Sequence, residues 1–456
     1  MTHPMFAPDP AMTELVLDYC REKLAEDPIA LDHSGDKAML DTVLGGCIGD
    51  GPQAPEKVLR LFDEHMLPGV ISTDSPRFLA FIPTAPTTAS CLFDMVVSAL
   101  SLQGSSWLEA AGVIAAENQV IRVLADLAGL PPSAGGVFLS GGSAGNLSAL
   151  AVARDTARRR LGTGRRLRMA VCESAHSSIA KALHLLDVGT LEVAPVDHRM
   201  TGAALRAALA ADDEPETVVG AVATAGTTNA GIVDDIAGVA AVTAERGLWL
   251  HVDAAYGGAA LLSSRARHLL AGIEHADSFI VDPHKWLFSP FDCAALVYRH
   301  PAQAKAVHTQ DAAYLDAVHR GDDQGDTPTE WNPSDYAYHL TRRARGLATW
   351  FSLSVNGLDA YREAVDAAIT QARSAAALIR RHRQLELVRH PQLSIVLFRR
   401  HGWEVADYYD WSARLLRDQI GFVTPTTWEG RPAARLAFLH PSTTDEIVEE
   451  ILATTR

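Results

Sequence analysis

From about residue 87 to residue 300, short apolar runs alternate with longer stretches in which apolar residues recur every three or four positions. The runs are GGVFLS (135–140), RMAVCES (168–174), LEVAPVD (191–197), VVGAVATAG (218–226), LWLHVDA (248–254) and SFIVD (278–282). Their length and their β-branched and aromatic content predict strands. AAENQVIRVLADLAGL, SSIAKALHLLD and DDIAGVAAVTAERG predict helices, and in the first Val120, Ile121, Leu124 and Leu127 share one face. This alternation predicts an α/β fold: a mostly parallel sheet with helices on both faces.

The two ends of the chain read differently. Residues 10–65 mix polar and apolar positions in helical fashion, and STDSPRF (72–78) breaks that pattern before LAFIPTAPTTAS. The stretch HRGDDQGDTPTEWNPSD (319–335), with its acidic residues, glycines and prolines, predicts a mobile surface loop. A long helical run follows, and then LSIVLFRR and ARLAFLH predict strands flanking a helix at 403–419, a small C-terminal α+β domain. The expected units are a helical segment over 1–86, a large domain over 87–345 and a small one over 346–456. At 456 residues two or three domains are expected.

The formal charge of −15 argues against a nucleic-acid footprint and a basic membrane surface. Five scattered cysteines with no CxxC or metal spacing suit a reduced, intracellular protein with no metal site. MTHPMFAPDP lacks the basic and apolar regions of a signal peptide, and no apolar stretch approaches a membrane span. The expected compartment is the cytoplasm.

Three features carry chemistry. In VFLSGGSAGNLSAL a strand ends, two glycines follow and a helix begins, which aims N–H groups at an anion such as phosphate. A plain strand–helix turn with a serine cap reads the same way. In LWLHVDAAYGG, Asp253 stands at a strand end, facing the crevice where α/β folds bind ligands, or capping a helix. In FIVDPHKWLF, Lys285 follows another strand end, either snorkelling outward or held inside for reaction. Together the three are what pyridoxal phosphate requires: a cradle for its phosphate, an amine for its aldehyde and a carboxylate for its pyridine nitrogen. At ~4 Å and an effective dielectric of ~20 such a carboxylate contributes ~4 kcal/mol, enough to hold the ring nitrogen protonated.

The run from HVDAAYGG through DPHKWLFSPFDCAALVYR (251–299) resembles the group II pyridoxal-phosphate decarboxylases, and the aromatic-L-amino-acid branch most. FLAFIPTAP, LSGGSAGNLSAL, ESAHSSIAKA, ATAGTTNAG and LTRRARGLATWF extend the resemblance over roughly residues 60 to 360. It implies a fold type I (aspartate aminotransferase-like) enzyme, a dimerisation role for the N-terminal segment, and a homodimer with its active site at the interface. Lys285 is then the lysine that condenses with the cofactor, and Asp253 the pyridine partner. His176 stacks on the ring, Ala255 lies against its face, and Gly142 and Ser143 hold the phosphate with His284. Thr224 lies near His176 and the substrate carboxylate. Tyr314, in DAAYLDAV, resembles the loop tyrosine that protonates the substrate carbon after carbon dioxide leaves, with the loop behind it as a lid.

The resemblance also implies a substrate pocket at Phe81, Ile82, Pro83, Thr84 and Thr341. Ile82 replaces a larger aromatic residue, Thr73 stands where tryptophan is frequent, and Thr341 replaces a glycine or serine. An aromatic L-amino acid is expected, with a histidine-like or aliphatic one as the alternative. Within the family, phenylalanine at Tyr314 or asparagine at His176 accompanies aldehyde synthases, so the residues present favour simple decarboxylation. A non-catalytic cofactor-binding protein is the remote alternative. One departure concerns Asp282, where animal relatives carry an asparagine near the phosphate. A carboxylate there would repel the phosphate, so Asp282 turns to a cation or a helix end, or the phosphate site is arranged differently.

Overall fold

The computed structural model describes residues 3–83, 85–162, 164–319 and 330–456. Thr84 and most of the loop expected over 319–335 lie outside the described residues.

The first sheet has seven strands: β1 (Gly135–Leu139), β2 (Arg168–Cys172), β3 (Gly189–Val193), β4 (Val218–Thr224), β5 (Trp249–Asp253), β6 (Ser278–Val281) and β7 (Ala294–Tyr298). Their order is β1-β7-β6-β5-β4-β2-β3. Strands β2 to β6 are parallel to one another, whereas β7 runs antiparallel to both β1 and β6. Every residue of β4 to β7 is buried, which explains why these strands read as continuous apolar runs. Helices Trp107–Leu127, Gly202–Ala211 and Ile236–Arg246 cover one face. Gly142–Leu161 and Ser177–Leu185 cover the other. Gly145 brings the helix close to the sheet there, since a Cβ on it would lie 2.3 Å from Ile280 Cδ1 on β6.

The second sheet consists of β8 (Leu385–Leu387), β9 (Ile395–Arg400), β10 (Thr424–Trp428) and β11 (Arg431–Ala437), all antiparallel, in the order β10-β11-β9-β8. Tyr408, Trp411 and Leu415, one stripe of helix Val405–Arg417, pack into its core. The long helix Gly346–Arg381 connects the two sheets. Tyr361, Val365 and Ile369 enter the core of the first, and Ala372, Ala375 and Ile379 that of the second. It breaks at Gly357, whose φ of +74° suits a residue without a Cβ.

The N-terminal helices contrast with this packing. Pro10–Leu24 and Lys37–Leu44 are capped by Asp9 and Asp36, yet neither buries a residue within the chain. No described helix is long and apolar enough to cross a membrane.

Candidate active site

The parallel strands of the first sheet end at a common edge, and a cavity of about 600 Å³ opens there. Ser140–Ala144 after β1, Thr224 at the end of β4, Asp253 at the end of β5 and Asp282, His284 and Lys285 after β6 all line it. It is the crevice in which open α/β sheets bind ligands.

Helix Gly142–Leu161 points its N-terminus into this cavity. A Cβ on Gly142 would lie 3.0 Å from Asp282 Oδ2 and 3.1 Å from Ala255 Cβ, so the three segments meet closely around this glycine. The Gly142 amide donates to Asp282 Oδ2 at 3.2 Å. Ser143 is exposed toward the cavity.

Asp253 is 5% exposed, and both of its oxygens are engaged. Oδ1 accepts the Ala255 N–H at 3.2 Å and Oδ2 accepts Asn146 Nδ2 at 3.1 Å. The same Asn146 nitrogen donates to Ser178 Oγ at 2.9 Å, and Ser178 Oγ lies 2.9 Å from His176 Nδ1. His176 is the N-cap of helix Ser177–Leu185 and its Nδ1 also accepts the Ser178 amide, which leaves the ring proton on Nε2. Behind Asn146, His251 Nε2 meets Asn146 Oδ1 at 2.9 Å and His251 Nδ1 meets Ser278 Oγ at 2.8 Å. Burial drives the His251 pKa well below its ordinary value, against the charge of Asp253, so this ring is neutral.

Lys285 lies on the short helix Pro283–Trp286, its side chain 24% exposed toward the cavity. Its Nζ is 2.9 Å from Asp282 Oδ2. Burial alone would lower the lysine pKa, but the charge and hydrogen bond of Asp282, with the charge of Asp253, carry it above its ordinary value. Lys285 is therefore an ammonium held by a buried carboxylate. His284 Nδ1 accepts the Cys293 amide at 3.0 Å, and its Nε2 faces Asp282 Oδ2 at 3.7 Å.

The sequence profile described as "Pyridoxal-dependent decarboxylase conserved domain" matches residues 49–401. The chain belongs to that family. It is 29% identical over 457 residues to the aromatic-L-amino-acid decarboxylase of Bacillus atrophaeus, covering 96% of this chain and 92% of that one. It is 32% identical over 396 residues to the L-2,4-diaminobutyrate decarboxylase of Rhizobium meliloti, covering 83% and 76%. The crystal structure of Oryza sativa TDC with PLP and tryptamine superposes with a TM-score of 0.91 at 25% identity, covering 100% of this chain and 99% of that one. The protein is a pyridoxal-phosphate-dependent amino acid decarboxylase.

Of the residues expected from the sequence, the decarboxylase cavity brings together Gly142, Ser143, His176, Thr224, Asp253, Ala255, His284 and Lys285. It does not bring in Tyr314, Phe81, Ile82, Pro83 or Thr341 from the same chain. Tyr314 sits on a single turn, Ala313–Leu315, and is 72% exposed. Phe81 is 61% exposed against Phe422, and Thr341 is also on the surface. Ile82 packs partly into the core of the large sheet, and Pro83 is buried. One residue that shapes the site, Asn146, escaped sequence reasoning. Asn146 was findable as the residue one helical turn after Gly142. Asp282, expected to turn to a cation or a helix end, turns to both at once, Lys285 and the Gly142 amide.

Proposed function

We propose that this decarboxylase converts an aromatic L-amino acid to its amine and carbon dioxide. The observation that carries the reading is the convergence of Lys285, Asp253 and His176 on one cavity, with Asp253 and His176 joined through Asn146 and Ser178. The donor set fits pyridoxal phosphate: a helix N-terminus opened by Gly142, a buried strand-end carboxylate, and a lysine between them. When bound, the cofactor supplies an aldehyde for Lys285 and a protonated ring that accepts the electron pair freed as carbon dioxide leaves.

The chain's own residues then have distinct tasks. Asp253, fixed by two donors, would hold a proton at the ring nitrogen. Gly142, Ser143 and His284 would hold the phosphate. His176 would lie on the ring and, with Thr224, orient the substrate carboxylate, and Ala255 would lie against the ring face. Tyr314 delivers the proton that replaces the carboxylate, so the product is amine and not aldehyde.

A homodimer completes the site in this reading. Support comes from the N-terminal helices Pro10–Leu24 and Lys37–Leu44, which have no fully buried residue in their own chain, and from the exposure of Tyr314, Phe81 and Thr341. Residues 1–86 would serve as the dimerisation segment and Phe81, Ile82, Pro83, Thr84 and Thr341 as walls of the substrate pocket, in a cytoplasmic enzyme. The test is a screen of the purified protein against the twenty amino acids, reading carbon dioxide, amine and peroxide. Amine from aromatic substrates is the expected result. Preference for histidine, diaminobutyrate or an aliphatic amino acid, or stoichiometric peroxide, would overturn it.

A further inference from the structure

The catalytic reading leaves Asp282 without a task. It is 1% exposed, and one oxygen, Oδ2, serves both Lys285 Nζ at 2.9 Å and the Gly142 amide at 3.2 Å. The other oxygen, Oδ1, is as deeply buried and has no hydrogen-bond partner. A Cβ on Gly142 would lie 3.0 and 3.3 Å from the two oxygens, so the carboxylate fills the hollow before the helix N-terminus. An anion drawn to that N-terminus meets a negative charge already there.

We propose that Asp282 is a built-in competitor for the cofactor, occupying the phosphate cradle and the reactive lysine with one carboxylate. The proposal rests on the reading of this cavity as the pyridoxal phosphate site. Capture requires Lys285 to leave the ion pair: the ammonium gives a proton to water, the freed amine adds to the aldehyde carbon, and the carbonyl oxygen departs as water with both amine hydrogens. The same event brings a phosphate dianion toward the carboxylate. Asp282 thus opposes loading twice, by keeping the amine protonated and by repelling the phosphate. Other titratable groups surround the pair: His284 on the same segment, Asp253 on β5, His176, Lys181, Tyr256 and Tyr338 on the cavity walls, and Asp292 and Cys293 before β7. Asp292 is paired with Arg345 at 2.7 Å. Asp282 alone among the described residues touches both Nζ and the Gly142 amide.

The test compares full-length wild type, Asp282→Asn and Asp282→Ser, each stripped of cofactor with hydroxylamine and titrated with pyridoxal phosphate. The asparagine variant should bind it at least about tenfold more tightly, because a like-charge contact is removed. Inorganic phosphate should block capture at lower concentration in the variant than in the wild type. The pH midpoint of the capture rate should move down in both variants, since burial without Asp282 lowers the lysine pKa. A merely structural role would not move that midpoint. Equal or weaker affinity in both variants, or an unshifted pH profile, would overturn the proposal. Should the asparagine variant not fold, the serine variant carries the comparison. A wild type whose Lys285 captures no cofactor, shown by borohydride fixation and peptide mapping, would overturn the cavity assignment itself and the proposal with it.

Discussion

Asn146 Nδ2 donates to Asp253 Oδ2 at 3.1 Å. Through its second donor bond to Ser178 and its oxygen to His251, Asn146 is the junction on which Asp253 and His176 both depend. Asn146→Asp cannot donate and sets a second carboxylate against Asp253. Leaving buried partners unmet costs about 1–3 kcal/mol, so turnover should fall about ten- to a hundredfold, while borohydride still fixes cofactor to Lys285. Unchanged turnover would remove Asn146 from the machinery.

Asp253→Asn should retain cofactor and lose up to about a thousandfold in turnover, following from the ~4 kcal/mol interaction of the carboxylate with the ring nitrogen. Single-turnover carbon dioxide release measures the loss directly. Near-normal release would show that another group protonates the ring.

Tyr314→Phe should slow amine formation and divert product to aldehyde and peroxide, with molecular oxygen as the oxidant. Substrate affinity should change much less. Amine, aldehyde and peroxide measured together decide this, and an unchanged amine yield would assign proton delivery elsewhere. Mixing Tyr314→Phe with Lys285→Ala chains asks which subunit supplies the tyrosine. If the partner does, random dimers restore about a quarter of the sites; if the same chain does, mixing restores none.

The buried, neutral His251 makes stability depend on pH in a definite direction. Its folded pKa lies below 6.5, so the unfolded chain binds more protons once the pH falls below about that value. Stability is fully present above this range and is lost as the pH falls, by at most about 1.4 kcal/mol per pH unit from this group. Urea unfolding of the wild type and His251→Gln between pH 5 and pH 8 (roughly the range in which a histidine titrates) should show the variant weaker at neutral pH but with a shallower slope. Equal slopes would mean that other groups set the acid response.

The sheet was legible wherever a strand reached its full apolar length. VVGAVATAG and LWLHVDA announced β4 and β5, and the residues at their carboxyl ends line the cavity. LEVAPVD placed β3 two residues late, because Gly189 and Thr190 begin it without an apolar signal. AALVY was not singled out as a strand, and no local pattern shows that β7 runs against its neighbours. In the small sheet, TPTTW forms β10 with no fully buried residue, so hydrophobicity could not mark it. Within the site, Asp253 and Lys285 stood out because strand ends are recognisable in a linear sequence. The Gly142–Asp282 contact and the Asn146 junction depend on how helix Gly142–Leu161 seats against β5 and β6. That is information about two segments more than a hundred residues apart.

The reversal of β7 has a mechanical consequence. A parallel successor to β6 would need a long crossover, free to drift with the helix it carried. Instead residues 282–293 leave β6 and return directly into its neighbour, laced shut where the His284 amide meets Cys293 O at 3.2 Å and His284 Nδ1 takes the Cys293 amide. Trp286, stacked on Tyr256, weights the middle of the span. Lys285 is moored fore and aft to adjacent strands, so changes at surface positions such as Phe81 and Thr341, the walls proposed above, leave the lysine in its berth.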